Sequence, residues 1–190
     1  YTLSLHDALP ISSVPTTMPA EDVTVTALWM INQYTITFDS AGGTAVSSIT
    51  QDYATTVIAP ATPTKTGYTF AGWDTSVPTT MPAEDFTVTA LWTINQYTIT
   101  FDSAGGTAVS SITQDYGTAV VTPDTPTKTG YTFAGWDTSV PTTMPAENMA
   151  LTAQWQINIY TLSYAAGVNG TISGATSQSV EYLNAGSAVT

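Results

Sequence analysis

The sequence holds no cysteine, two basic residues and one histidine, and these shortages remove most chemistries before any motif is read. Without cysteine there is no disulfide framework, no thiolate nucleophile and no zinc–thiolate site. Lys65 and Lys128 alone cannot neutralise a run of phosphates, and the formal net charge is -12, so no nucleic-acid partner is expected. Anionic lipid headgroups are disfavoured on the same ground. No stretch reaches the ~18 apolar residues of a membrane span, so no membrane insertion is expected of these residues. Charged residues make up only 8% of the chain, yet 43% are hydrophobic and 11% aromatic, which argues for packed structure over disorder. What is abundant is Thr, with Val, Ile, Tyr and Trp beside it, the side chains that suit a pleated, half-buried surface.

Residues 1–12, YTLSLHDALPIS, match nothing else in the chain. They resemble the translation of a short-read sequencing adapter and are read as a scar, not native protein. The one histidine, His6, falls inside it.

The rest is organised by a 63-residue period. YTITFDSAGGTAVSSITQDY begins at Tyr34 and again at Tyr97, and a looser YTLSYAAG begins at Tyr160. Residues 34–96 and 97–159 differ at 12 of 63 positions. Residues 13–33 repeat the tail of this unit without its front, and residues 160–190 supply a front without a tail. The expected order is therefore part-unit, unit, unit, part-unit, and a repeat of this kind sets the architecture before local motifs do.

Inside a unit the period is that of strands. Tyr34, Ile36 and Phe38 alternate with Thr35 and Thr37, giving one buried face. DSAGG follows as a turn, with Gly42 and Gly43 read as the positions free to take positive φ. Ile49, Gln51 and Tyr53 mark a second strand, GYTFAGW (67–73) a third, and Phe86, Val88, Ala90 and Trp92 the inward face of a fourth. The second copy agrees with this phase: Phe86 and Val88 become Met149 and Leu151, while Leu91, placed outward, becomes Gln154. A unit this short buries only about 60% of its unfolded surface, and its aromatic side chains are expected to compensate.

The ordered string YTITFD, PTKTGYTFAGW and MPAEDFTVTALW resembles the internalin-type B repeat, also called the Listeria–Bacteroides repeat. The resemblance covers 34–159 as two units and 13–33 as one tail, and 160–190 resembles a divergent cousin. It implies a mainly β fold of tandem β-grasp-like modules in an elongated string, with the first and last strands of each module parallel and adjacent. A four-residue joint, Thr93–Gln96, would hand the chain on. It also implies a secreted or wall-attached bacterial protein, extracellular or at the cell surface.

The search for chemistry returns little. With His6 set aside, Ser–His and Cys–His nucleophiles are excluded. A carboxylate pair for glycoside hydrolysis would have to come from Asp39, Asp52, Asp74, Glu84 and Asp85. Asp39 and Asp74 read as turn formers at strand ends, and Asp85 is Asn148 in the next unit, a change that catalysis would not tolerate. No DxDxDG calcium spacing is present. Lys65 and Lys128, at the same place in PTKTGY, are read as solvated loop lysines in preference to isopeptide crosslinks. Trp29, Trp73, Trp92, Trp136 and Trp155 are placed in core by their inward phase, not on a sugar-stacking surface. Asn169-Gly170-Thr171 is formally a glycosylation sequon but is read as a two-residue hairpin turn.

The expectation is accordingly a protein that is not an enzyme, with no catalytic, cofactor-binding or metal-binding residue. Its repeats are expected to be monomeric spacers of a surface stalk presenting adhesive modules. The alternative is that the repeats themselves bind an extracellular protein or glycan.

Overall fold

The alternation of apolar residues with Thr produces strands throughout, and the computed structural model, which describes residues 6–8 and 15–188, contains no helix among them. No described helix is therefore long and apolar enough to cross a membrane. The chain divides into two units, one through Ile94 and one from Asn95.

The first unit is built on a four-stranded sheet made of β3 (Gln33–Asp39), β4 (Ile49–Asp52), β5 (Tyr68–Trp73) and β6 (Phe86–Ile94). Its order is β4-β3-β6-β5. The outer pairs are antiparallel, whereas β3 and β6 lie parallel at the centre, Ile36 facing Phe86 and Phe38 facing Val88. This is the mixed, β-grasp-like order that the family resemblance implied. The last strand of the unit can reach its place beside the first only after the chain has crossed the sheet through the Pro-punctuated 55–67 and 74–85 segments.

Burial follows the predicted phase. Ile36, Phe38, Val88 and Ala90 are buried, and the Thr residues between them face outward or lie half-buried. Leu91 is exposed, as its polar replacement in the second copy requires. The core cluster also takes in Val57 and Met81 from the crossing segments, with Tyr34, Val46, Ile49, Trp73, Val77 and Phe86 packed around it. Met81 is tied in by its own backbone: its carbonyl accepts from Ala54 N–H and its N–H donates to the Thr55 carbonyl, both at 2.9 Å. Edge strand β5 carries a register shift between Phe70 and Gly72, and Gly72 has φ 121. A bulge there twists the open edge and blunts it against further pairing.

The second unit repeats this plan with β7 (Gln96–Asp102), β8 (Ile112–Asp115), β9 (Tyr131–Trp136) and β10 (Met149–Ile157), in the order β8-β7-β10-β9. Ile99, Met144 and Leu151 form its buried cluster. Strand structure occupies most of the expected 93–96 joint, since β6 ends at Ile94 and β7 starts at Gln96, leaving Asn95 alone between them.

The flanking segments behave differently. Residues 15–28 form no strand and their side chains are exposed. Only β2 (Trp29–Ile31) is extended, antiparallel to β1 (His6–Ala8), the described part of the 1–12 segment. At the other end β11 (Ile159–Ser163) pairs with β12 (Ser177–Glu181). The Asn169-Gly170 pair does not close a two-residue hairpin. It sits in the 13-residue connection between those strands, with Asn169 at φ 63 and Gly170 N–H donating to the Gly167 carbonyl at 3.0 Å. The pairing of the two strands ends at Ser163 opposite Ser177, before that turn.

Candidate functional site

Each acid of the repeat that could have carried chemistry is occupied by its own backbone or a neighbouring amide, Glu84 excepted. Asp39 Oδ1 accepts from Ala41 N–H at 2.9 Å, closing the DSAGG turn, and Asp102 does the same for Ala104. Asp74 Oδ1 accepts from Thr89 N–H at 2.8 Å, tying the end of β5 to β6, as Asp137 does for Thr152 at 2.9 Å. Asp52 pairs with the Gln33 side-chain amide across the β3–β4 edge at 2.9 Å. Asp85 Oδ1 accepts from Thr35 N–H at 2.6 Å, where β6 enters alongside β3. In the second unit Asn148 Oδ1 takes Thr98 N–H at 2.8 Å. The position needs a side-chain carbonyl oxygen, not a charge, which is why Asp and Asn alternate there. Among the described residues no three His, Asp or Glu side chains converge on a point where a metal ion could sit.

The two lysines are the surprise. Lys65 is not a solvated loop residue: its ammonium donates to the Ala41 carbonyl at 2.9 Å and lies 4.6 Å from the Tyr68 ring centre. Lys128 repeats the arrangement on Ala104 and Tyr131. The reason is the turn it reaches. Ala41 (φ 47) and Gly42 (φ 84) take the left-handed conformation, which turns the Ala41 carbonyl toward the lysine. The sequence placed positive φ on both glycines, whereas Gly43 is present for a different reason. A Cβ there would stand 2.6 Å from Trp92 Cζ2 and 3.0 Å from the Thr64 carbonyl oxygen. Trp92 lies against that bare backbone, donates its indole N–H to the Ser40 carbonyl at 3.0 Å, and meets Phe70 edge-on at 5.6 Å. Turn, lysine and tryptophan form one clasp that closes the end of each unit.

Trp73, Trp92, Trp136 and Trp155 are thus packed against their units, Trp73 on Phe38 and Phe70, Trp136 on Phe101 and Phe133. Trp29 departs from the core placement and is 59% exposed.

On the outer surface one large apolar side chain is exposed at equivalent places in both complete units, Ile58 (82%) and Val121 (83%). Val121 borders a shallow groove of about 580 Å³ between the 107–112 and 121–126 segments, whose remaining lining is chiefly Thr, Ser and Pro with Asp124. The groove holds no convergent charged or nucleophilic group.

Comparison with known proteins agrees with this anatomy. A family model described as the Listeria-Bacteroides repeat domain matches residues 34–91 and 97–154. Internalin H of Listeria monocytogenes is 40% identical over 66% of this chain and 25% of its own length. A protein provisionally named as a membrane protein in Evansella cellulosilytica is 36% identical over 76% of the chain and 24% of its own length. The chain therefore spans about a quarter of these curated relatives. A solved pair of tandem-repeat (SHIRT) domains from a streptococcal cell surface protein covers 66% of this chain and 98% of its own length at 18% identity, with a TM-score of 0.24.

Proposed function

The chain belongs to the Listeria–Bacteroides repeat family, and from that premise we propose that its units are structural spacers in a bacterial cell-surface or secreted protein, without catalytic activity. One observation carries the reading. Within the complete units the aromatic rings are packed inward and the carboxylates of the pattern, Glu84 excepted, are spent on backbone amides or, for Asp52, on the Gln33 side-chain amide, so the outward surface is mostly Thr, Ser and short loops. A surface of that kind offers solubility and length more readily than recognition. Near-identical consecutive units suit a role that depends on their number.

Binding by the units themselves is supported by the recurring Ile58/Val121 side chain, which is a single residue and far short of the several hundred Å² of a typical interaction patch. The two readings separate on chains carrying two, four and six complete units. A spacer shows a maximum dimension in small-angle scattering that grows in proportion to unit number, and gives no saturable signal on arrays of glycans and extracellular-matrix proteins. Saturable binding to one array component that strengthens with unit number would overturn the spacer reading.

A further inference from the structure

Where the second four-stranded sheet hands the chain to the β11–β12 hairpin, one residue joins the two pieces: β10 ends at Ile157, β11 starts at Ile159, and Asn158 lies between. A link of one residue leaves only its φ and ψ to set the angle, and all four polar groups of Asn158 are committed. Its N–H donates to the Gly130 carbonyl at 2.8 Å, and its carbonyl accepts from Tyr182 N–H at 2.9 Å. Its Oδ1 accepts from the Thr132 hydroxyl at 2.6 Å, and its Nδ2 lies 3.4 Å from the Tyr160 hydroxyl oxygen. Two of these contacts hold the repeat and two hold the hairpin. Asn suits the place because its amide accepts and donates at once.

The second contact is a ring in a space left by a glycine. Gly130 is buried with φ 79, and a Cβ there would overlap the Tyr182 ring. Tyr182 also meets Tyr131 edge-on at 6.1 Å, and the Lys128 ammonium lies 4.6 Å from the Tyr131 ring centre. Tyr131 and Thr132 pair with Ile157 and Gln156, so this corner is fixed by the sheet of its own repeat. On the hairpin side, Tyr182 is fixed by its bond to Asn158 and by Tyr160 at 6.4 Å. Both halves of the arrangement are standing parts of the repeat. Tyr53 N–H donates to the Asn32 carbonyl and Tyr116 N–H to the Asn95 carbonyl, each at 2.9 Å. The corner's Gly-Tyr-Thr stands also at 67–69, with Gly67 at φ 76.

We propose that the Gly130–Thr132 corner is a seat for the front hairpin of the repeat that follows it, and that the seated tyrosine and Asn158 make this joint stiff. The partner is defined by its chemistry: a hairpin with a tyrosine just past its second strand and an asparagine immediately before its first. A bare one-residue link would let the hairpin swing about two dihedral angles. With the seat occupied, that swing has to lift an aromatic ring off buried backbone and break the Thr132 and Gly130 bonds to Asn158. The inference concerns how one repeat holds the next, and it stands apart from whether the units space or bind.

The absence of cysteine allows paired spin labels on the full chain. Gln154 in β10 and Ser179 in β12 are exposed and report across the joint, while Gln154 with exposed Ala119 reports within the repeat. Distances from pulsed electron paramagnetic resonance on Q154C/S179C are expected to form a single distribution as narrow as that of Q154C/A119C. Adding Y182A should broaden the first about twofold or more and leave the second unchanged. T132V, which removes one hydroxyl and alters no hairpin residue, should broaden the first as well. A Q154C/S179C distribution several times broader than the reference, with no further change, overturns the proposal, because the hairpin then swings on its link. So does an unchanged width in both variants, which would place the stiffness elsewhere. If Y182A undoes the hairpin itself, T132V decides alone.

Discussion

Replacing Gly43 by Ala is a change of one methyl group in an exposed-looking turn, and the structure makes it a severe one. The new Cβ would lie 2.6 Å from Trp92 Cζ2 and 3.0 Å from the Thr64 carbonyl oxygen. To restore an ordinary contact the indole has to retreat by most of an ångström. It is held on three sides: by its N–H bond to the Ser40 carbonyl, by Phe70, and by the Lys65 ammonium 5.7 Å from its ring. The Thr64 carbonyl cannot yield either, because it accepts from Thr44 N–H at 2.8 Å. Overpacking of this kind costs about 1–3 kcal/mol, and losing the indole hydrogen bond adds about 1 kcal/mol. Against the roughly 3–9 kcal/mol expected for a unit of this size, that is a large fraction. Hydrogen exchange read by mass spectrometry suits the test, since the second unit of the same molecule is the control. Peptides spanning 54–61 and 117–124 differ in sequence and so are resolved from each other. G43A should lower protection of the first by roughly thirtyfold to several-hundredfold and leave the second unchanged. Protection of 54–61 within twofold of wild type would refute the clasp as a packed element.

Asp85→Asn should leave stability within about 0.5 kcal/mol of wild type, because Asn148 already performs the task, whereas Asp85→Ala should cost about 1–2 kcal/mol by leaving Thr35 N–H without its acceptor; urea denaturation compares the two, and equal losses would mean that charge matters after all. Lys65→Met keeps the apolar stem but removes the donor to Ala41 and the cation facing Tyr68, and should destabilise the first unit by about 1–2 kcal/mol in the same assay. Val88→Leu alone should overpack the first core by about 1–3 kcal/mol, and Phe86→Met added to it should recover most of that loss; additive penalties in thermal melts would deny that the two positions share space.

Much of the sheet was legible because a period of two is a strong signal when Thr separates the apolar residues. Tyr34 to Phe38 and Phe86 to Trp92 could be assigned a face directly, and the Leu91-to-Gln154 exchange marked the outer side. The parallel neighbourhood of β3 and β6 came from family resemblance, since nothing in a strand's own pattern names its partner. Val57 and Met81 were not legible as core. They sit in Pro-interrupted crossings with no period, and their burial is decided by backbone bonds to segments more than twenty residues away. Lys65 was misjudged because its carbonyl partner is created by left-handed backbone at Ala41, a residue type that gives no warning of that conformation. Gly43 was assigned a role in φ when its role is the space it leaves for Trp92, and only the tertiary contact distinguishes the two.

The positions at which the two units differ are themselves ordered by these constraints. Five of them lie between residues 54 and 61, where side chains are largely exposed and the chain is irregular, so Ile58 and Val121 can be exchanged without consequence for packing. Ala54 becomes Gly117, and both hold positive φ, so the exchange moves toward the residue that adopts it without strain. In the core only two positions change, Phe86 to Met149 and Val88 to Leu151, and they change in opposite directions: a ring is lost where a methylene is gained two residues along the same inward face. The clasp does not change at all, because Gly43, Lys65 and Trp92 each fill a site that the other two define. A unit built this way tolerates exchange of loop surface freely and of core volume only in pairs. That leaves the exposed Thr faces and the loop around Ile58 as the surface on which units of this kind can diverge while the fold stays the same.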